Sequence, residues 1–244
     1  MVFNADALLL GGPLEFMKRY IIAALSIVCF LSIRSSYSAE FLHPSDVVKE
    51  MQQKFKSLKS YSASFSLDIK ENAKSRTSRG KVYYQSGGKL HFAFSSPAGD
   101  KIVSDGKKMW VYVERLRAVG VQDLKYKKDG KSIYDTNSYE GLVRLFQRYH
   151  YRFDDVEQPR DVGGKKYFVL ELKEKVSSGG YEKLLLYVSP ETYNIEKLSA
   201  WSASGRTVDL KFSDITPNDT IPGDYFQFKV TDNMKVVENP LTTE

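Results

Sequence analysis

At 244 residues the chain is long enough for one sizeable core. Its 36 Lys and Arg against 30 Asp and Glu leave a mild net charge of +6 spread along the sequence, and for an exported chain with no recognition motif nucleic acid is not expected as a partner. A single cysteine excludes a disulfide framework, so an exported domain of this sequence must be held together by its core.

The N-terminus reads as a leader. Met17, Lys18 and Arg19 form a short basic start, followed by the apolar run "YIIAALSIVCFLSI" and the exit "RSSYSAE". The run has 14 residues, against the roughly 20 needed to span a bilayer. Ser36 and Ser38 supply a small-x-small pair, so cleavage is expected after Ser38. Residues 1–16 are an upstream extension, residues 17–38 the signal peptide, and 39–244 a single domain. Cys29 follows Val28, where a lipid-attachment signal wants a small residue, so the chain is not read as lipid-anchored. Removing residues 1–38 lowers the charge to +5, because that stretch carries three basic and two acidic side chains.

The first element of the domain is "HPSDVVKEMQQKFKSLKSY". Val47, Met51, Phe55 and Leu58 fall at helical spacing, with Pro44 at the entry and Ser45 as the expected N-cap. Strands follow. "YSASFSLDI" alternates Tyr61, Ala63, Phe65, Leu67 and Ile69 against serines and Asp68, and "GKVYYQ", "KLHFAFSS", "DKIVS", "KMWVYV" and "RAVGVQ" continue the meander. Asp105-Gly106 is read as a two-residue type I′ turn. Met109 to Val113 are apolar or aromatic on both faces, so something must lie on each side of that arm. The basic run "KYKKDGK" has two readings, a solvated loop or a patch for an acidic partner or anionic lipid.

A second amphipathic helix interrupts the meander. Leu142, Val143, Phe146 and Tyr149 share its face, with Asn137 or Ser138 as the cap. Strands "KKYFVLELKEK", "EKLLLYVSP", "NIEKLSAWSA", "TVDLKFSDI" and "DYFQFKV" close the chain. The fold class is α+β: a strongly curved antiparallel sheet with helices on its concave side. Two readings fit strands apolar on both faces, a thick two-sided core or a half-barrel around an apolar cavity.

No catalytic constellation stands out. There is no Gly-x-Ser-x-Gly elbow and no His-Glu-x-x-His, and His43, His91 and His150 do not fall at metal-ligand spacing. No metal, cofactor or enzymatic activity is expected.

The run "SYSASFS" after an amphipathic helix, and then "GKVYY…KLHFAFSSPAGDKIVSDGKKMWVY", resembles the LolA family of periplasmic lipoprotein carriers. The most specific part runs from Pro97 to Tyr112, and the ending "DYFQFKVTDNMKVVENP" is similar to the family's last strand and tail. The resemblance implies an incomplete antiparallel barrel with helices as a lid over an apolar cavity. It implies a monomer that takes acylated lipoproteins from an inner-membrane ABC transporter and hands them to an outer-membrane receptor. It places Tyr83, Leu90, Phe92, Phe94 and Ile102 in the lining, and Phe55, Leu142, Val143 and Phe146 in the lid. Trp110 is added as a lining candidate, its face left open against Met109, Val111 and Val113. Leu90 stands where the family often has an aromatic, and Ser86 where it often has an arginine that holds the lid shut. The alternative is a lipid-sensing or general lipid-binding envelope protein of the same fold.

Overall fold

The computed structural model describes residues 42–124, 139–177 and 180–239, with the short strands at 127–128 and 131–132. The expected leader, its cleavage site and the Asn137 or Ser138 cap lie outside the described residues. Residues Leu42–Glu244 cluster as one compact unit. No described helix is long and apolar enough to cross a membrane.

Helix α1 spans Pro44–Ser57. Its N-cap is His43, not Ser45. The extended His43 backbone lets Nδ1 accept from the Ser45 N–H at 3.3 Å, while the His43 N–H donates to Asp46 at 3.0 Å. Two orphan donors are thereby satisfied, and Pro44 occupies the first turn, where no N–H is needed. Helix α2 spans Tyr139–Arg148. Tyr149 belongs to the next strand, because pairing with a strand twenty-five residues on wins over continuation of the helical spacing.

The strands are β1 (Ser60–Glu71), β2 (Lys74–Gln85), β3 (Lys89–Ser96), β4 (Ala98–Asp105), β5 (Lys108–Val113) and β6 (Ala118–Asp123). After a separate hairpin of β7 (Lys127–Lys128) and β8 (Lys131–Ser132), where a loop was one expectation, come β9 (Tyr149–Phe153), β10 (Arg160–Asp161), β11 (Lys166–Glu174) and β12 (Tyr181–Val188). β13 (Ile195–Ser202), β14 (Thr207–Pro217) and β15 (Lys235–Glu238) complete the set. Thirteen of them form one unclosed sheet in the order β10-β11-β12-β13-β14-β1-β2-β3-β4-β5-β6-β15, with β9 on β11. Every pairing is antiparallel except β15 on β6. This is the α+β, unclosed-barrel class expected.

The turn between β4 and β5 sits one residue later than expected. Positive φ falls on Gly106 alone, and Asp105 ends β4, its carboxylate accepting from the Lys107 and Lys108 N–H groups at 2.7 Å.

Both helices pack on one face of the sheet, called here the inner face. Val47, Val48 and Met51 of α1 and Phe146 of α2 join Phe168, Leu170 and Leu172 of β11 and Leu184, Leu186 and Val188 of β12. A second cluster, Ala63, Phe65, Val82, Tyr84 and Leu90, gathers Phe55 and Leu58 from the far end of α1. One amphipathic helix therefore bridges two clusters. On the other face, from Asn218 on, the chain runs as a strap over β1 to β6. Asp219 accepts from Ser60 and Ser62, the turn Gly223–Phe226 lies over β3 and β4, and β15 adds to the edge.

Candidate functional site

Strand register decides which predicted residues meet. Tyr84 faces Leu90, Val82 faces Phe92, Gly80 faces Phe94, and Phe92 faces Ile102. Directly paired residues share a face, so Leu90, Phe92, Phe94 and Ile102 stand together on the inner face. The β1 register adds Phe65 opposite Gly80. Its ring meets those of Phe92 and Phe94 edge-on, with centroids 5.0 and 5.1 Å away. In the sequence Phe65 is visible only as one beat in the alternation of "YSASFSLDI".

The inner face is covered unevenly. Over β11 and β12 the helices close it, and Leu170, Leu172 and Leu186 are wholly buried. Leu142 and Phe146 pack there with Leu145, which sequence spacing missed, while Val143 is half-buried and outside that cluster. Over β14 and β1 to β5 the apolar residues Leu67, Phe92, Phe94, Ile102, Leu210 and Phe212 are only half-buried. Contiguous apolar surface left partly open on a folded domain marks a binding site.

Phe55 is the lid residue at the border of the two sectors. Its ring lies 5.3 Å from that of Tyr84, which stacks on Tyr61 at 5.2 Å. Burial, with Tyr84 beside it, pushes the Tyr61 hydroxyl up to about 12, so it stays neutral and the trio acts through packing. Ser86 has a different setting. Its N–H donates to the Lys59 carbonyl at 2.8 Å, and it borders a cavity of about 460 Å³ with Lys59, Gln85, Asp219 and Ile221.

Register puts Tyr83, expected in the lining, and Trp110, whose face was left open, on the other side of the sheet. Tyr83 pairs with His91, His91 with Val103, and Val103 with Trp110, a row on the outer face. Met109, Val111 and Val113 take the inner face instead. The strap explains why both faces of "KMWVYV" are apolar: Phe228 lies 6.4 Å from the Trp110 ring and 5.6 Å from that of Tyr112. Tyr225 meets Tyr83 edge-on at 4.8 Å and His91 at 5.9 Å. Between sheet and strap lies a cavity of about 470 Å³ lined by His91, Lys101, Tyr112, Tyr225, Phe228 and Met234, among others.

His91 makes the strap sensitive to acid. Burial lowers its pKa below the usual 6.5 and the Lys101 charge lowers it further, against a smaller opposing effect of the Tyr225 backbone. The groups facing it are Tyr83 from β2, Lys101 from β4, and Asp224 and Tyr225 from the strap. A freed His91 binds a proton more readily than the packed one, so the packed form has its full stability above about 6.5 and loses it as pH falls below that value. Acidification from pH 7.5 to 5 is expected to lower the thermal midpoint and shift Trp110 fluorescence, and His91→Leu to flatten both. A pH-independent wild type contradicts this.

Among the described residues no cluster of His, Cys, Asp or Glu is placed to hold a metal ion.

Residues 56–229 match the family described as outer membrane lipoprotein carrier protein LolA. An outer-membrane lipoprotein carrier protein of Legionella pneumophila (strain Corby) is 26% identical over 189 residues, covering 77% of this chain and 88% of the relative. Among solved structures, an uncharacterized conserved protein from Thermus thermophilus shares the fold with a TM-score of 0.52 at 11% identity, over 80% of this chain and 98% of that one. A LolA superfamily protein from Nitrosomonas europaea aligns over 77% of this chain and 98% of its own, with 15% identity and a TM-score of 0.39.

Proposed function

We propose, from the premise that this chain belongs to the LolA family of outer membrane lipoprotein carrier proteins, that its half-open inner sector holds the acyl chains of lipoproteins in transit. The family is one of carriers, and the name of the Legionella relative, outer-membrane lipoprotein carrier protein, supports work in the periplasm of a two-membrane bacterium. The observation that carries the reading is the half-buried apolar sector of Phe92, Phe94, Ile102, Leu67, Leu210 and Phe212 beside a helix-sealed one.

Burial of a hydrocarbon chain is worth about 0.8 kcal/mol per CH₂. A sixteen-carbon chain therefore carries roughly 12 kcal/mol on that scale, and its escape into water is very slow. Cargo has to pass directly between apolar sites, here from an inner-membrane ABC transporter to this chain and on to an outer-membrane acceptor. A groove strong enough to hold cargo also invites self-association when empty. Phe55 and Leu58 at the end of α1 cover part of it, so cargo competes with the lid, and that competition lowers net affinity and keeps transfer reversible.

Phe55→Ala removes the ring contact with Tyr84 while leaving Val47, Val48 and Met51 in place. An aromatic pair is worth about 0.5–1.5 kcal/mol, so acyl affinity is expected to rise about two- to tenfold, read by displacement of a fluorescent fatty acid. Unchanged or weaker binding contradicts lid competition. The function itself is tested by purifying the chain from the periplasm of its host and identifying bound species by mass spectrometry. Acylated lipoproteins are expected, and a chain free of acylated species overturns the proposal.

A further inference from the structure

We propose that the part of the outer face that the strap leaves uncovered, beside it on β13, β14 and β1 to β4, is a docking surface for an anionic lipid bilayer. It is on the side of the sheet away from the acyl sector and stands or falls separately from it.

Five cations share this face by register. Lys81 and Lys101 both pair with Ala93, from β2 and β4. Arg79 pairs with Ser66, Ser66 with Lys211, and Lys211 with Lys197. Arg79, Lys81, Lys101 and Lys211 are exposed, and Lys197 is half-buried with its ammonium 4.5 Å from the Tyr187 ring. Like charges directly opposite across a ladder are destabilising, yet Lys197 and Lys211 face each other and none of the five makes an ion pair with a described acid. The carboxylates in the next row, Asp68 and Asp209, take hydroxyl hydrogen bonds from Thr77 and Ser199 instead. Asp68 and Asp209 keep their charge and offset part of this repulsion, and an anionic counter-surface relieves the rest.

The surface between the cations identifies that counter-surface. It is made of Ser64, Ser66, Ala93 and Ser213, and Lys, Ser and Ala are the residues that protein interfaces deplete. The exposed aromatics of this face, Trp201 and Tyr225, stand apart at its margins and do not gather as the central anchor of a protein contact. Lysines at phosphate depth with isolated Trp and Tyr at headgroup level fit a lipid surface carrying net negative charge. Docked so, the helix-covered face points away from the lipid and is open to a protein partner.

The test is co-sedimentation of the purified exported chain with phosphatidylcholine vesicles, with and without phosphatidylglycerol, at low and high salt. Expected are binding to the phosphatidylglycerol vesicles only, release by salt, and at least about tenfold weaker binding of Lys197→Glu/Lys211→Glu. Lys197→Gln/Lys211→Gln, which adds no new charge to the ladder, is expected to weaken binding in the same direction. Lys49→Glu/Lys54→Glu on the solvent side of α1 is expected to bind as wild type. Protein released by salt free of lipid marks docking. Release with bound phospholipid, equal binding to neutral vesicles, undiminished binding of both Lys197/Lys211 variants, or no vesicle binding overturns the proposal, the last pointing to an acidic protein instead.

Discussion

Phe94→Glu is expected to weaken acyl-chain binding at least about 100-fold while lowering unfolding stability by only about 1–2 kcal/mol. The Phe94 side chain is half-buried on the inner face, edge-on to Phe65 and opposite Gly80. A carboxylate at that position keeps its hydration in the free protein because the sector is open there. A bound hydrocarbon chain strips that water away, and the cost falls on the complex. Leu90→Glu is a poorer probe. Leu90 is only 7% exposed and packed with Val82 and Tyr84, so a charge there costs the fold before it costs binding. Fatty-acid displacement and urea unfolding on the same Phe94 variant separate the two effects, and retained binding rejects this sector as the acyl site.

Gly80→Ala is expected to destabilise the domain by about 3 kcal/mol, the upper end of what overpacking costs. A Cβ at Gly80 meets the Ala93 carbonyl oxygen at 2.0 Å and the Phe65 ring at 2.9 Å. The first contact is backbone, fixed by the pairing of β2 with β3, and cannot give way without breaking the ladder. The second displaces the ring against which Phe92 and Phe94 pack, so acyl binding falls together with stability. An unfolding free energy within about 1 kcal/mol of wild type shows that the strands shift freely where the β2–β3 register is irregular, between Arg79 and Gly80, and contradicts a fixed backbone contact there.

The sequence made the sheet legible where one face is buried and the other is wet. "YSASFSLDI" alternates, and Phe65, Leu67 and Ile69 take the inner face as its rhythm requires. In "KMWVYV" the rhythm fails because the second apolar face is covered by a strap more than a hundred residues later in the chain, and no local window carries that information. Local reading therefore leaves the face of Trp110 open, and the family resemblance alone puts Tyr83 in the lining, whereas register turns the two to Phe228 and Tyr225. The helix-to-strand change at Tyr149 is hidden for a related reason: its ring is buried in either state, its hydroxyl donating to the Tyr181 carbonyl at 2.7 Å, and burial is all that periodicity reads. His43 escapes notice as a cap because imidazole takes the part usually played by Asn, Asp, Ser or Thr. Ser86 shows only that a charged latch is absent at that position. The Phe55–Tyr84–Tyr61 contact spans α1, β2 and β1 and becomes visible only once they are brought together.

A photoreactive fatty acid bound to the chain, followed by mapping of the cross-linked peptides, distinguishes the two faces of the sheet in one measurement. The structure predicts label on the peptides carrying Phe92, Phe94 and Ile102, on the inner side, competed away by unlabelled acyl chain. Label confined to Tyr225, Phe228 and Met234 under the strap contradicts the inner sector as the acyl site.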